Sequence, residues 1–156
     1  MVNLKSTLSP DEFIAIVDEH DEPTGQVTTR HQMREHNLWH RSTAIFVIDE
    51  HLRFCLNKRS HFKDYCPGWL DTSFGGIVGA HEIDDVDGAA LREAEEEMGI
   101  ARLDSIKLPS GKSGQTLKPK FVFKHKFEDS GSRAWVYTYY IAWHSALKDL
   151  GTPIKP

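Results

Sequence analysis

The sequence contains no apolar run approaching the roughly 18 residues that a membrane-spanning helix needs, so no such span is expected. It has only two cysteines, Cys55 and Cys66, in unlike contexts and without a CxxC companion. That speaks against a zinc knot or a disulfide framework and fits a reducing cytosol. Positive charge is not in excess: 19 Lys and Arg stand against 23 Asp and Glu, a formal net charge of −4. Nothing general therefore draws the chain to a nucleic acid polymer or to an anionic membrane. Repeats and low-complexity tracts are lacking too, and Met1 to Asp11 has no apolar segment of the signal-peptide kind. We read the chain as cytoplasmic and untargeted, a single domain over 1–156 with residues 1–11 as a flexible lead.

What is present suffices for one core: 156 residues, 39% of them hydrophobic. Phe13 to Val17 reads as a strand, the acidic run Asp18 to Glu22 with Pro23-Thr24-Gly25 as a turn, and Gln26 to Thr29 as a second strand. Residues 30–37 suit a short polar helical turn. Thr43 to Ile48 is an apolar, β-branched strand turning at Asp49-Glu50 into Phe54 to Arg59. A loop over 60–68 then leads to a strand from Trp69 to Phe74 and the pair Gly75-Gly76. From Val86 to Met98 the period becomes helical, with Ala90, Leu91, Ala94 and Met98 as the apolar stripe and Gly99 as the stop. A Gly/Ser/Lys loop, Gly111 to Pro119, precedes a second hairpin made of Lys120 to Phe127 and Arg133 to Trp143. Strands, a central helix and strands again predict an α+β fold with a mixed sheet.

On that helix Glu93, Glu96 and Glu97 share a face beside the apolar stripe, while Glu95 points elsewhere. Three like charges repel unless something positive stands among them, and a hard cation such as Mg²⁺ is the usual partner of carboxylate oxygens. An acidic run alone is equally a solvated helix face with Arg92 bridging to Glu96. The combination is more particular: Arg-Glu, a small apolar residue, a Glu pair two positions on, a Gly stop, and a strand ending in Gly-Gly upstream.

In this the chain resembles the Nudix box, G-x5-E-x7-R-E-U-x-E-E-x-G-U with U apolar. Arg92 to Ile100 matches at every defined position. Gly76 and Glu82 satisfy the first half, but nine residues instead of seven separate Glu82 from Arg92, a two-residue insertion around Asp84 to Asp87. The resemblance implies Glu93, Glu96 and Glu97 as metal ligands, the Gly75 carbonyl completing the set, Arg92 orienting the carboxylates, and Glu93 or Glu96 as the catalytic base. The reaction implied is Mg²⁺-dependent (or Mn²⁺-dependent) hydrolysis of a phosphoanhydride bond in a small diphosphate compound.

Further stretches, Ile16 to Glu19, Pro23 to Gly25, Leu38 to Arg41, Lys58 to Ser60 and Pro67 to Asp71, resemble the Nudix branch that shares its N-terminal region with type I isopentenyl diphosphate isomerase. That isomerase carries a catalytic cysteine and a metal-binding histidine where this chain has Gly75 and Ile77, so hydrolysis is favoured over isomerisation. A catalytically silent diphosphate-binding module is the third reading. His40 matches a metal ligand of the isomerase, and His36, four residues earlier, could share a metal with it on a helix. Arg59, with Lys58 beside it, is the candidate for substrate phosphates. Phe62, Tyr65, Trp69, Trp135, Tyr137 and Tyr139 suit either a substrate wall or the core. The fold implied is a Nudix-type α/β/α sandwich. Members normally add a strand and a helix after the last hairpin; this sequence stops at Pro156, so these are expected to be lacking and an exposed edge to favour a homodimer.

Overall fold

The computed structural model describes residues 12–63, 65–108 and 116–144. The expected lead over 1–11, most of the Gly/Ser/Lys loop, and whatever follows the last hairpin beyond residue 144 lie outside them. β1 (Phe13–Val17) and β2 (Pro23–Thr29) form an antiparallel hairpin. The Asp18 carboxylate shapes its turn by accepting the backbone N–H groups of His20 and Glu22 at 2.8 and 2.9 Å. Thr29 then caps α1 (Arg30–Glu35) in a capping box with Gln32.

The main sheet has four strands: β3 (Trp39–Ile48), β6 (Ser73–Phe74), β7 (Lys120–Glu128) and β8 (Arg133–Ala142), ordered β6-β3-β8-β7. β3 and β8 run parallel over ten paired positions, and the two outer pairs are antiparallel, so the sheet is mixed as expected. β3 starts four residues before the apolar run Thr43 to Ile48, because Trp39 to Ser42 pair with β8 although they are not uniformly apolar. Two expected strands are broken up. Of Phe54 to Arg59 only β4 (Asn57–Lys58) forms, paired with β5 (Leu70–Asp71). Trp69 to Phe74 divides into β5 and β6, since the Asp71 carboxylate accepts Ser73 N–H at 2.9 Å and turns the chain.

α2 (Val86–Met98) begins on Asp85, whose carboxylate accepts Gly88 N–H at 2.9 Å, and ends on Gly99 at φ +65°. Alternation along β3 and β8 assigns their faces. Ile45, Val47, Tyr139 and Ile141 meet Ala90, Ala94 and Met98 of α2 in the main core, with Leu91 packed at its margin. Ser42, Ala44, Val136 and Thr138 face the other way and line a cavity. Ile14, Ile16, Met33 and Ile77 make a smaller core that ties the hairpin and α1 to the Gly75-Gly76 segment. Among the described residues no helix is long and apolar enough to cross a membrane.

Candidate active site

The sheet edge at β6, the acidic face of α2 and the open sheet face enclose a cavity of about 510 Å³. Its geometry starts at the two glycines. Gly75 has φ +135°, and a Cβ there would lie 2.3 Å from the Thr43 carbonyl oxygen, so no side chain fits this backbone. A Cβ on Gly76 would lie 2.5 Å from Glu93 Oε1; the Glu93 carboxylate is tucked over that glycine. The pair thus lets backbone and carboxylate meet at the foot of the cavity.

Arg92 organises the acids. Its Nε and Nη2 donate to the two Glu82 oxygens at 2.7 and 2.9 Å, and Nη1 donates to Glu93 Oε1 at 2.9 Å and Glu96 Oε2 at 3.3 Å. Glu82 therefore reaches Arg92 despite the two extra residues between them. Hydrogen bonds from Arg92 hold the Glu82 carboxyl below the usual range. Glu93 goes the other way: burial pushes its carboxyl up, the Arg92 charge and hydrogen bond pull it back, and Glu96 and Glu97 add to the rise. Glu97 is met by Lys63 Nζ at 3.2 Å. Glu95 accepts Leu103 N–H at 2.9 Å and serves the fold, pointing elsewhere as its position on the helix implied.

Arg59, Lys63, Arg30 and Arg34 also line the cavity. Arg59 donates to the Tyr65 carbonyl at 3.1 Å and faces Asp71 at 3.6 Å. Lys58 is exposed and outside the lining, so of this expected pair only Arg59 is on the cavity. His40 is buried in the cavity wall with Nδ1 3.0 Å from the Leu38 carbonyl. His36 caps α1 while His40 is on β3, so the helical sharing of a metal by these two imidazoles does not arise. Of the aromatic residues, Tyr65 is on the cavity, Phe62 and Trp69 are exposed and Tyr139 is in the core.

The sequence pattern missed Lys63, which sits in a loop with no period, and Phe123 and Phe127, whose cavity-facing role depends on the register of β7 against β8. It missed Thr138 also: this buried side chain lines the cavity, and its Oγ1 has no hydrogen-bond partner among the described residues.

The donor set suits a hard divalent cation: carboxylate oxygens from Glu93, Glu96 and Glu97 beside the Gly75 backbone. Glu93 is the most enclosed of the three, its side chain 13% exposed, and burial with the like-charged Glu96 and Glu97 pushes its carboxyl up. Among the described residues no three acidic, imidazole or thiol groups converge as they stand; Arg92 pairs with Glu93 and Glu96, and Lys63 with Glu97.

The NUDIX domain family model matches residues 38–153, most of the chain. The protein belongs to the Nudix family. It is 32% identical over 155 residues to an uncharacterized Nudix hydrolase of Streptomyces coelicolor, covering 90% of this chain and 77% of that one. It is 38% identical over 128 residues to the uncharacterized Nudix hydrolase YfcD of Escherichia coli K12, covering 82% of this chain and 62% of the relative's length. The solved protein DR0079 of Deinococcus radiodurans superposes with a TM-score of 0.59 at 23% identity, over 83% of this chain and 72% of that one, which shows a shared fold. The Nudix sandwich with its mixed sheet, expected from the box, is thus the fold of this chain. Enzymes of the family generally use divalent metals such as Mg²⁺ and act on small molecules.

Proposed function

We propose that this Nudix protein is a metal-dependent pyrophosphohydrolase that cleaves a phosphoanhydride bond in a small diphosphate compound. The observation that carries the reading is the Arg92-centred set of Glu82, Glu93 and Glu96 against Gly75-Gly76, with cationic Arg59 and Lys63 in the same cavity. Bound Mg²⁺ would neutralise phosphate charge and lower the pKa of a coordinated water. Glu93, Glu96, Glu97 and the Gly75 carbonyl are the groups to hold it, with His40 as a further candidate in the wall.

The chain's own residues then divide the work. Glu93 is nearly enclosed, its side chain 13% exposed, and is fixed between Gly76 and Arg92, which suits an anchoring ligand. Glu96 is 57% exposed and held by Arg92 at 3.3 Å only, so it can turn toward a water and accept its proton. Arg59 and Lys63 meet the phosphates, Arg59 with a planar fork. The rest of the substrate lies on the sheet face between Phe123 and Phe127.

Isomerisation is disfavoured by Gly75 itself. The cysteine of the isomerase would have to occupy a position where even a methyl group collides with the Thr43 backbone. The test is incubation with Mg²⁺ and a panel of nucleotide, nucleotide-sugar, coenzyme and prenyl diphosphates, following phosphate products and, separately, conversion of isopentenyl to dimethylallyl diphosphate. Hydrolysis that needs the metal is expected. Isomerisation without hydrolysis would sink the proposal, and binding without turnover would make the protein a silent module.

A further inference from the structure

We propose that Asp21 and Arg41 form a clamp that positions the loop bearing Glu82, and through Glu82 and Arg92 sets the placement of Glu93 and Glu96. This rests on the carboxylates being the metal site described above. Neither clamp residue lines the cavity, so both are positioning residues and not catalytic ones.

The chain of contacts is continuous. Arg41 Nε donates to Asp21 Oδ1 at 2.7 Å and Nη2 to the Asp21 carbonyl at 2.8 Å, while Nη1 donates to the Ile83 carbonyl at 2.6 Å. One guanidinium thereby joins the β1–β2 turn to the residue next to Glu82. Asp21 is in turn fixed to the sheet, its Oδ2 accepting from Lys124 on β7 and, at 2.6 Å, from the Tyr137 hydroxyl on β8. From Glu82 the path continues through the paired bonds with Arg92 to Glu93 and Glu96.

The loop needs such a hold. Its backbone is tied by two short-range bonds, Glu82 N–H to the Gly79 carbonyl at 3.0 Å and Asp85 N–H to the Glu82 carbonyl at 2.9 Å. Asp84 and Asp85 are exposed, and Ile83 is only partly covered, so apolar burial fixes little of it. This is also where the box is two residues longer than the family pattern. Extra length gives Glu82 more ways to miss Arg92, and the Arg41 bond to Ile83 removes that freedom next to the residue that matters. Side chains outside a metal's ligand shell act on affinity in this manner, typically by ten- to a hundredfold.

The test compares wild type, Arg41→Lys, Glu82→Gln and the double variant. Lysine keeps the charge beside Asp21 but cannot span Asp21 and Ile83 together. Mn²⁺ binding to the full chain is titrated by electron paramagnetic resonance, and amide exchange is followed at Glu82 and Asp85. Each single variant should weaken Mn²⁺ binding on the order of tenfold, and the double variant should be no weaker than Glu82→Gln alone, since both act on one path. Arg41→Lys should speed exchange at both amides. Additive losses in the double variant, or an Arg41→Lys protein with unchanged affinity, would overturn the clamp. If wild type binds no Mn²⁺, the metal-site reading fails, and the clamp is then judged on exchange: unchanged protection in Arg41→Lys refutes it. Should Arg41→Lys not fold, Asp21→Asn, which loosens the same guanidinium, is expected to move both readouts in the same direction.

Discussion

At the scale of single residues, the two glycines do different things, and substitution separates them. Gly76→Ala meets only the far end of the Glu93 side chain. It should leave the melting temperature close to wild type while cutting kcat on the order of ten- to a hundredfold, as displaced ligand positions do. Steady-state kinetics beside a thermal melt checks this, and an unchanged kcat would mean that Glu93 need not sit over the glycine. Gly75→Ala meets the backbone of Thr43 at a φ of +135°. It should destabilise the fold itself, by about 1–3 kcal/mol from the backbone strain and more from the collision. The pair was legible in the sequence as the start of the box, because glycine-rich punctuation stands out. That Glu93 folds back over Gly76 was not, since it depends on how α2 lies against the sheet edge. Lys63 was hidden for the same reason: its partner Glu97 lies 34 positions away across a loop without periodicity.

At the scale of elements, α2 was read almost to the residue, because its apolar spacing and terminal Gly99 agree, while the Asp85 cap that starts it emerged only from the structure. The strands around residues 54–74 were misjudged, since short side-chain-to-backbone bonds such as Asp71 to Ser73 outweigh a continuous apolar pattern there. The Asp21 network could not be read at all. The acidic run Asp18 to Glu22 read only as a turn, and the partners of Asp21, Lys124 and Tyr137, lie 103 and 116 positions away. Burial works against ionisation of Asp21, yet hydrogen bonds from Lys124, Tyr137 and Arg41 win and hold its carboxyl below the usual range. A group lowered in the folded state lends stability above its unfolded value near 3.9, and that contribution is lost as pH falls through the lower, folded value. Asp21→Asn should therefore cost about 1.5–3 kcal/mol at pH 7, the scale of hydrogen bonds to a charge, and less at pH 3. Denaturant melts at the two pH values measure it; an equal loss at both would show that the carboxylate charge contributes nothing. β7 offers a functional counterpart. Phe123→Ala should raise KM with little change in kcat if the non-phosphate part of the substrate rests on that wall, and a fall in kcat at constant KM would place the substrate elsewhere.

At the scale of the whole molecule, the class of fold and its family were legible, while the strand order was not. The α+β reading came from the succession of strand, helix and strand patterns, whereas the parallel pairing of β3 with β8 brings together segments nearly a hundred residues apart and leaves no local trace. That pairing is what makes the site, because it sets Ser42 and Ala44 beside Val136 and Thr138 as one wall of the cavity that the Arg92-centred acid cluster also lines. The central claim is that a water, deprotonated beside Glu96, attacks phosphorus. Hydrolysis of the best substrate with Mg²⁺ in ¹⁸O-labelled water, read by phosphorus NMR, tests it most directly. One labelled phosphate product is predicted, formed by wild type and lost in Glu96→Gln; unlabelled phosphate products, or product formation by Glu96→Gln at the wild-type rate, would contradict it.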